Sequence, residues 1–171
     1  MWVGGQLKIM IKQILALPIL SLFLLIANPV ASADYQRGVD AALQRDFVTT
    51  LREWSPLAEQ GGATSQFQLG WLYYEGNGVT QNYETALKWY RLASEQGYAY
   101  AQSALGRMYA DGHGVSQDYT RAYMWFSIAA SLWDPDAGKQ RDLVTNKLTA
   151  AQLKAAYRLV HECVQKNFKG C

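Results

Sequence analysis

Ser65-Gln-Phe-Gln-Leu-Gly-Trp-Leu-Tyr-Tyr-Glu-Gly-Asn-Gly-Val79 returns 36 residues later as Ala101-Gln-Ser-Ala-Leu-Gly-Arg-Met-Tyr-Ala-Asp-Gly-His-Gly-Val115. Identical residues continue at the same spacing beyond these stretches, at Gln81/Gln117, Tyr83/Tyr119, Ala86/Ala122, Trp89/Trp125 and Ala93/Ala129. A fixed period of about 20 to 50 residues is the sequence mark of an architecture in which each unit stacks on the next. The repeat therefore decides the fold and indicates a binding scaffold, although it does not indicate what is bound.

Each repeat predicts two helices joined by a glycine-containing turn. Gln66, Leu69, Gly70 and Tyr73 are spaced as on one face of a helix. Glycine within a helix costs about 1 kcal/mol relative to alanine, so we expect Gly70 to allow a second helix to approach closely. Gly76 is expected to end the helix in the left-handed conformation that helix C-termini often need.

This pattern resembles the Sel-one-like repeat, a relative of the tetratricopeptide repeat. The residues that carry the resemblance are Leu69-Gly70, Tyr73, Gly76-x-Gly78-Val79, Tyr83, Ala86, Trp89-Tyr90, Ala93 and Gln96-Gly97, with their second copies. The second copy departs at its end, where Ser131-Leu-Trp-Asp-Pro135 replaces the expected Glu-Gln-Gly. The resemblance implies an all-α fold, a right-handed α-α superhelix with repeats at 63–98 and 99–134, and a concave face that binds other proteins.

The N-terminal residues 1–33 are predicted to be a secretory signal peptide. Lys8 and Lys12 precede an uncharged apolar run, and Ala31-Ser32-Ala33 fits an A-x-A cleavage site. An uncleaved membrane anchor is the alternative. The chain has 16 basic and 14 acidic residues, so removal of a leader with two lysines leaves 14 of each. This balance argues against a nucleic-acid partner, because nucleic-acid binders usually show a basic excess.

The segments that flank the repeats are predicted to cap the solenoid, because the terminal units of such arrays must cover an open apolar face. Residues 34–62 are expected to form a degenerate helical pair. Its first helix is expected at 35–44, its second is expected to start near Asp46 and run to about Glu59, and Trp54 is expected in the place of Trp89 after a one-residue deletion. Residues 135–171 are expected to form capping helices. The second of these carries an apolar stripe, for which a partner-helix surface is the alternative; the stripe is Leu153, Ala156, Tyr157, Val160 and Val164.

Two cysteines, Cys163 and Cys171, are eight residues apart near the C-terminus. In an exported protein such a pair predicts a disulfide. Free thiols and an intermolecular bridge are the alternatives.

The sequence offers no constellation of catalytic residues, so we expect no enzyme, no metal site and no cofactor. Metal sites need three or four suitably spaced ligands, and neither His113 nor His161 has such neighbours in the sequence. His113 replaces Asn77 in the turn and is expected to be solvent-exposed. Cysteine-rich relatives of the repeat family have been linked to β-lactam binding, but they carry a cysteine pair in every repeat, which is absent from both repeats here.

A second face of the first helix of each repeat supplies the candidate partner-binding residues. Phe67, Trp71 and Tyr74 are spaced four and three residues apart, and Ser103 and Arg107 occupy the equivalent positions of Phe67 and Trp71 in the second repeat. Aromatic residues and arginine are enriched at protein-binding hot spots. The alternative is that the aromatic side chains pack against the opening unit.

The function that these features favour is that of a non-enzymatic, protein-binding scaffold or regulator, exported to the periplasm, with an envelope protein as its partner. The alternatives are a β-lactam-binding or β-lactam-hydrolysing repeat protein and a membrane-anchored structural protein of the envelope.

Overall fold

The segments with helical spacing in the sequence form packed α-helices in the structure. The computed structural model describes residues 29–132 and 134–171, and this part of the chain contains eight α-helices and no strand. The helices are α1 (Pro29–Leu43), α2 (Phe47–Glu59), α3 (Ala63–Glu75), α4 (Tyr83–Ser94), α5 (Ala99–Asp111), α6 (Tyr119–Ser131), α7 (Ala137–Thr145) and α8 (Ala150–Gln165). The predicted all-α repeat fold is confirmed. Most of the predicted signal peptide, residues 1–28, lies outside the described residues.

The two repeats are built alike, as α3 with α4 and α5 with α6. A Cβ atom on Gly70 would lie 2.7 Å from the ring of Tyr90, and one on Gly106 would lie 2.7 Å from the ring of Phe126. Each helical glycine thus lets an aromatic side chain of the partner helix lie directly on its backbone. The close approach that Gly70 predicts is confirmed.

The turn between the helices of each repeat is held by the same contacts in both copies. Gly76 and Gly112 end the first helices with a φ of 74° each. The N-cap residues of the second helices are Asn82 and Asp118, whose side chains accept hydrogen bonds from backbone N–H groups of the first turn. Such caps satisfy amides that have no partner within the helix.

The opening unit follows the repeat more closely than the sequence comparison predicts. Trp54 is 2 % exposed and covers Gly38, as Tyr90 covers Gly70. Trp54 therefore takes the place of Tyr90, 36 residues later, and the predicted equivalence with Trp89 is wrong. No residue is deleted from α2, because its N-cap Asp46 also lies 36 residues before Asn82. The opening unit is shorter than a 36-residue repeat, and the missing residues lie before α2, since Gly38 and Gly70 are only 32 residues apart.

The C-terminal helices α7 and α8 pack against α6. Asp134, which is 7 % exposed, accepts hydrogen bonds from the backbone N–H groups of Asp136 and Ala137 at the start of α7. Thr149 and Gln152 form the predicted capping box at the start of α8.

The apolar stripe on α8 differs from the prediction. Ala156 and Cys163 are buried, whereas Tyr157 and Val164 are 59 % and 47 % exposed. Ala156 and Cys163 lie seven residues apart on the face that packs into the core cluster around α6, whereas the Tyr157 ring lies beside this face and contacts Tyr123, with ring centroids 5.6 Å apart. Leu153, Leu159 and Val160 pack beside this face.

Cys163 and Cys171 are joined by a disulfide that closes the loop after α8. The loop lies against the C-terminal end of α4, where Gly170 N–H donates to the carboxylate of Glu95 at 3.3 Å. Phe168 approaches Gly97, which follows the same helix. The disulfide thus fixes a loop that contacts the first repeat.

Reduction of this disulfide is expected to lower the free energy of unfolding by about 2–3 kcal/mol, since the bridge restricts a short loop in the unfolded chain. Urea unfolding with and without reductant measures the change. A Cys163→Ala, Cys171→Ala variant should match the reduced protein and should not respond to reductant. Equal urea midpoints for the oxidised and reduced protein would contradict the expectation.

None of the described helices combines the length and the apolar character needed to cross a membrane.

Candidate functional site

The five predicted partner-binding residues all line one cleft between α3 and α5. The cleft has a volume of about 200 Å³. Its other lining residues are Glu75, Tyr90, Tyr100, Ala104, Asp134 and Asp136. Because α3 and α5 are equivalent helices of successive repeats, the cleft lies where two repeats meet.

The three aromatic side chains are half-buried, so each has one side on the protein and one side open. Phe67 packs against Tyr90 and Tyr98, with ring centroids 5.6 and 5.3 Å apart. Trp71 packs on the core cluster of the opening unit that contains Trp54. Packing on one side holds these rings in fixed positions without removing them from the cleft.

Tyr74 is held by residues of both repeats. Its hydroxyl lies 2.9 Å from Nδ1 of His113, and its ring packs against Tyr83. His113 in turn stacks on Tyr83 with ring centroids 4.4 Å apart and planes 6° apart. The expectation that His113 is a solvent-exposed turn residue is therefore wrong, because the turn of the second repeat folds onto the start of α4.

The pKa of the Tyr74 hydroxyl is raised above its usual value by burial first, and then by the negative charge of Asp111. Arg107 opposes this shift. Burial likewise raises the pKa of Tyr90, which forms the floor beside it. Both phenols therefore stay neutral at physiological pH, and the cleft wall they form is uncharged.

The charged groups of the cleft come from the end of α3, from α5 and from the start of α7. Arg107 is exposed, whereas Ser103 is buried at 9 % exposure. Glu75 is exposed, Asp134 caps α7, and Asp136 pairs with Lys139 at 3.2 Å. The cleft thus combines an aromatic wall with a mixed-charge rim, a composition suited to binding a polypeptide segment.

Several lining residues were not among the predicted set. Tyr100, Ala104 and Arg107 lie four and three residues apart on α5, so helical spacing alone could have found Tyr100. Asp134 and Asp136 approach the cleft only because α7 turns back on α6, and no spacing in the sequence indicates this.

A second cleft, of about 430 Å³, adjoins the first and shares Phe67 and Trp71 with it. The remaining lining residues are Val39, Ala42, Leu43, Trp54 and Gln68. Leu43 is 79 % exposed. The two clefts form one path from α1 across α3 to α5, and all of its charged lining residues belong to the first cleft.

No group of histidine, cysteine, aspartate and glutamate side chains suited to holding a metal ion is present in residues 29–132 and 134–171.

The sequence matches the family model of the Sel1 repeat at residues 63–98 and 99–132. Among solved structures it is similar to a protective antigen present in uropathogenic Escherichia coli strains, which displays an SLR fold. The sequences are 29% identical, the TM-score is 0.75, and the match covers 81% of this chain and 31% of that chain. This chain therefore spans about a third of the length of that antigen.

A Sel1 repeat protein from Oxalobacter formigenes is 31% identical, with a TM-score of 0.58. That match covers 66% of this chain and 87% of the other. No curated protein matches the sequence significantly. The chain belongs to the Sel1 repeat family, because two of its segments match the Sel1 repeat and its similarity extends along nearly the whole of a Sel1 repeat protein.

Proposed function

We propose that this protein is a non-enzymatic scaffold or regulator of the bacterial cell envelope that binds a protein partner along the two adjoining clefts. Sel1 repeat proteins are generally protein-interaction scaffolds and are typically non-catalytic. The observation that carries the proposal for this chain is that Phe67, Trp71, Tyr74, Ser103 and Arg107 all line one cleft. A disulfide supports the envelope location, because disulfides form in oxidising compartments.

The composition of the path indicates how a partner would lie on it. The α1 end offers exposed Leu43 beside Trp71, which suits apolar side chains of a partner. The first cleft offers Arg107 on α5 and Glu75 at the end of α3, which suit polar and charged groups. A bound segment that crosses from one end to the other would cover Trp71 at the centre, where hot-spot residues concentrate.

Trp71→Ala is therefore expected to weaken partner binding by about 2 kcal/mol, which is a factor of about 30 in the dissociation constant. Removal of the indole takes away the apolar surface that apolar side chains of the partner would contact. The experiment captures envelope proteins on the immobilised protein, identifies those that bind wild type, and measures their affinity for each variant.

Tyr157→Ala is the matched control, since Tyr157 is an aromatic residue 59 % exposed on α8 and away from the clefts. A partner of the clefts should bind the Tyr157 variant as it binds wild type. Circular dichroism must show that both variants are folded. Equal binding to folded Trp71→Ala protein and to wild type would contradict the proposal.

A further inference from the structure

A second group of polar side chains lies on α4, α5 and α6, and it shares no residue with the two clefts. The hydroxyl oxygen of Tyr109 accepts hydrogen bonds from Arg91 Nη2 at 3.2 Å and from Arg121 Nη1 at 3.3 Å. The guanidinium carbon of Arg121 is 5.5 Å from the centroid of the Tyr109 ring. Two cationic groups thus meet at one neutral oxygen, although like charges at such short range repel each other.

Negative charge near these two arginines is scarce. Arg121 Nε lies 3.5 Å from Asp118 Oδ2. The other oxygen of Asp118 already accepts from two backbone N–H groups at the start of α6. In the part of the chain that the structure describes, Arg91 has no carboxylate within 4.0 Å. Asp118 therefore pairs with Arg121, and Arg91 has no ion-pair partner among the described residues.

A cavity of about 290 Å³ adjoins this group and adds a further donor. It lies between α4, α6 and the disulfide loop, and its lining includes Arg91 and Trp125. Trp125 is 3 % exposed, and its indole Nε1 has no hydrogen-bond partner among the described residues. A buried N–H group without an acceptor is costly, and such groups in native proteins are uncommon.

The one acidic side chain that lines this cavity, that of Glu95, accepts a hydrogen bond from Gly170 N–H in the disulfide loop. Trp125 follows Arg121 by four residues, so the two lie on the same face of α6. Beside the cavity there are thus two guanidinium groups and an unpartnered indole N–H, while the Glu95 carboxylate already accepts a hydrogen bond.

The preceding units provide an internal comparison, because residues 36 positions earlier occupy equivalent places. Tyr73 and Trp89 correspond to Tyr109 and Trp125, so the aromatic residues belong to the repeat. Ser55 and Thr85 stand where the arginines Arg91 and Arg121 stand in the later unit. The fold therefore does not require the two cations, and a different cause must account for them.

We propose that Arg91 and Trp125, with Arg121 beside them at the Tyr109 hydroxyl, form a binding site for an oxyanion, the carboxylate or phosphate group of a small ligand in the cavity beneath the disulfide loop. Guanidinium groups bind such anions through paired N–H···O hydrogen bonds. A bound oxyanion removes the repulsion between the arginines and gives the Trp125 indole the acceptor it lacks.

The test follows the Trp125 indole N–H resonance of the ¹⁵N-labelled protein, identified by its loss in Trp125→Phe. The protein is titrated separately with sodium phosphate and with sodium acetate, with sodium chloride adjusted to keep the ionic strength constant. We expect a saturable shift with at least one of the two anions. Saturation by phosphate alone or by acetate alone identifies which oxyanion the site accepts.

The matched variant is Arg91→Ser with Arg121→Thr, which introduces the residue types found 36 positions earlier, at Ser55 and Thr85. It should weaken binding of the same anion by about tenfold or more, since charge-assisted hydrogen bonds are among the strongest in proteins. Lys88→Ser removes another exposed cation of α4 and should leave the titration unchanged. If the double variant does not fold, Arg91→Gln replaces it. The absence of saturation with both anions, or equal affinity in the folded arginine variant, would overturn the proposal.

Discussion

Deletion of residues 147–171 is expected to lower the free energy of unfolding by about 5 kcal/mol or more. Burial of a large apolar side chain contributes about 1.5–3 kcal/mol. The deletion removes five side chains that are partly buried against the core cluster around α6, each of which contributes a part of this amount, namely Leu148, Leu153, Leu159, Val160 and Phe168. Ordering α8 during folding costs conformational entropy, and the deletion removes this cost as well. Even after this cost is subtracted, the loss of stability approaches the whole stability of a small domain, about 5–15 kcal/mol. Thermal unfolding followed by circular dichroism should show a loss of cooperativity.

Two substitutions in α8 separate the loss of packing from the mere shortening of the chain. Ala156 is fully buried, so Ala156→Gln forces an amide into the core and should destabilise strongly. Ala151 is exposed on the same helix, and Ala151→Gln should have almost no effect. Unchanged melting after the deletion, or equal effects of the two glutamine variants, would mean that α8 is an independent appendage rather than a cap.

The sequence predicted the fold of the two central repeats because their decisive contacts recur at a constant spacing. Gly70 and Gly106 could be recognised as sites of close helix approach from their position in the helical pattern alone. The opening unit was harder to place. Its shortened turn removes the glycine pattern, and the neighbouring residues Trp89 and Tyr90 are both aromatic, so the position equivalent to Trp54 was ambiguous by one residue. Burial of Trp54 against Gly38 resolves the ambiguity.

The cleft was predicted in part for the same reason. Phe67, Trp71 and Tyr74 share a helical face, and such a face can be read from spacing. The environment of Tyr74 could not be read, because His113 reaches it only through the turn of the next repeat. Tyr109 and the two arginines around it lie on three different helices, and their convergence depends on how the repeats stack. Local periodicity predicts which face a residue occupies, whereas contacts between repeats need the fold itself.

The second glycine of the turn motif also acts between repeats. Gly114 has a φ of +68°, and a Cβ atom there would lie 2.8 Å from backbone atoms of Tyr83, the first residue of α4. Gly78 makes the equivalent close approach to Phe47 at the start of α2. Each turn thus rests on the N-terminus of the second helix in the preceding unit. This contact explains why the motif that decides the fold contains two glycines, although only the first is needed to end a helix.

Gly114→Ala is accordingly expected to lower the free energy of unfolding by about 3 kcal/mol. A left-handed backbone costs a residue with a side chain roughly 1–2 kcal/mol, and the clash with a backbone that cannot move aside adds about 1–3 kcal/mol. Gly170→Ala is the matched control, because Gly170 has a φ of +65° but nothing within 4 Å of the added methyl group. It should show the conformational cost alone, measured by urea unfolding of both variants under identical conditions. If the two substitutions destabilise equally, the contact between successive repeats contributes nothing, and only the conformational requirement accounts for the second glycine.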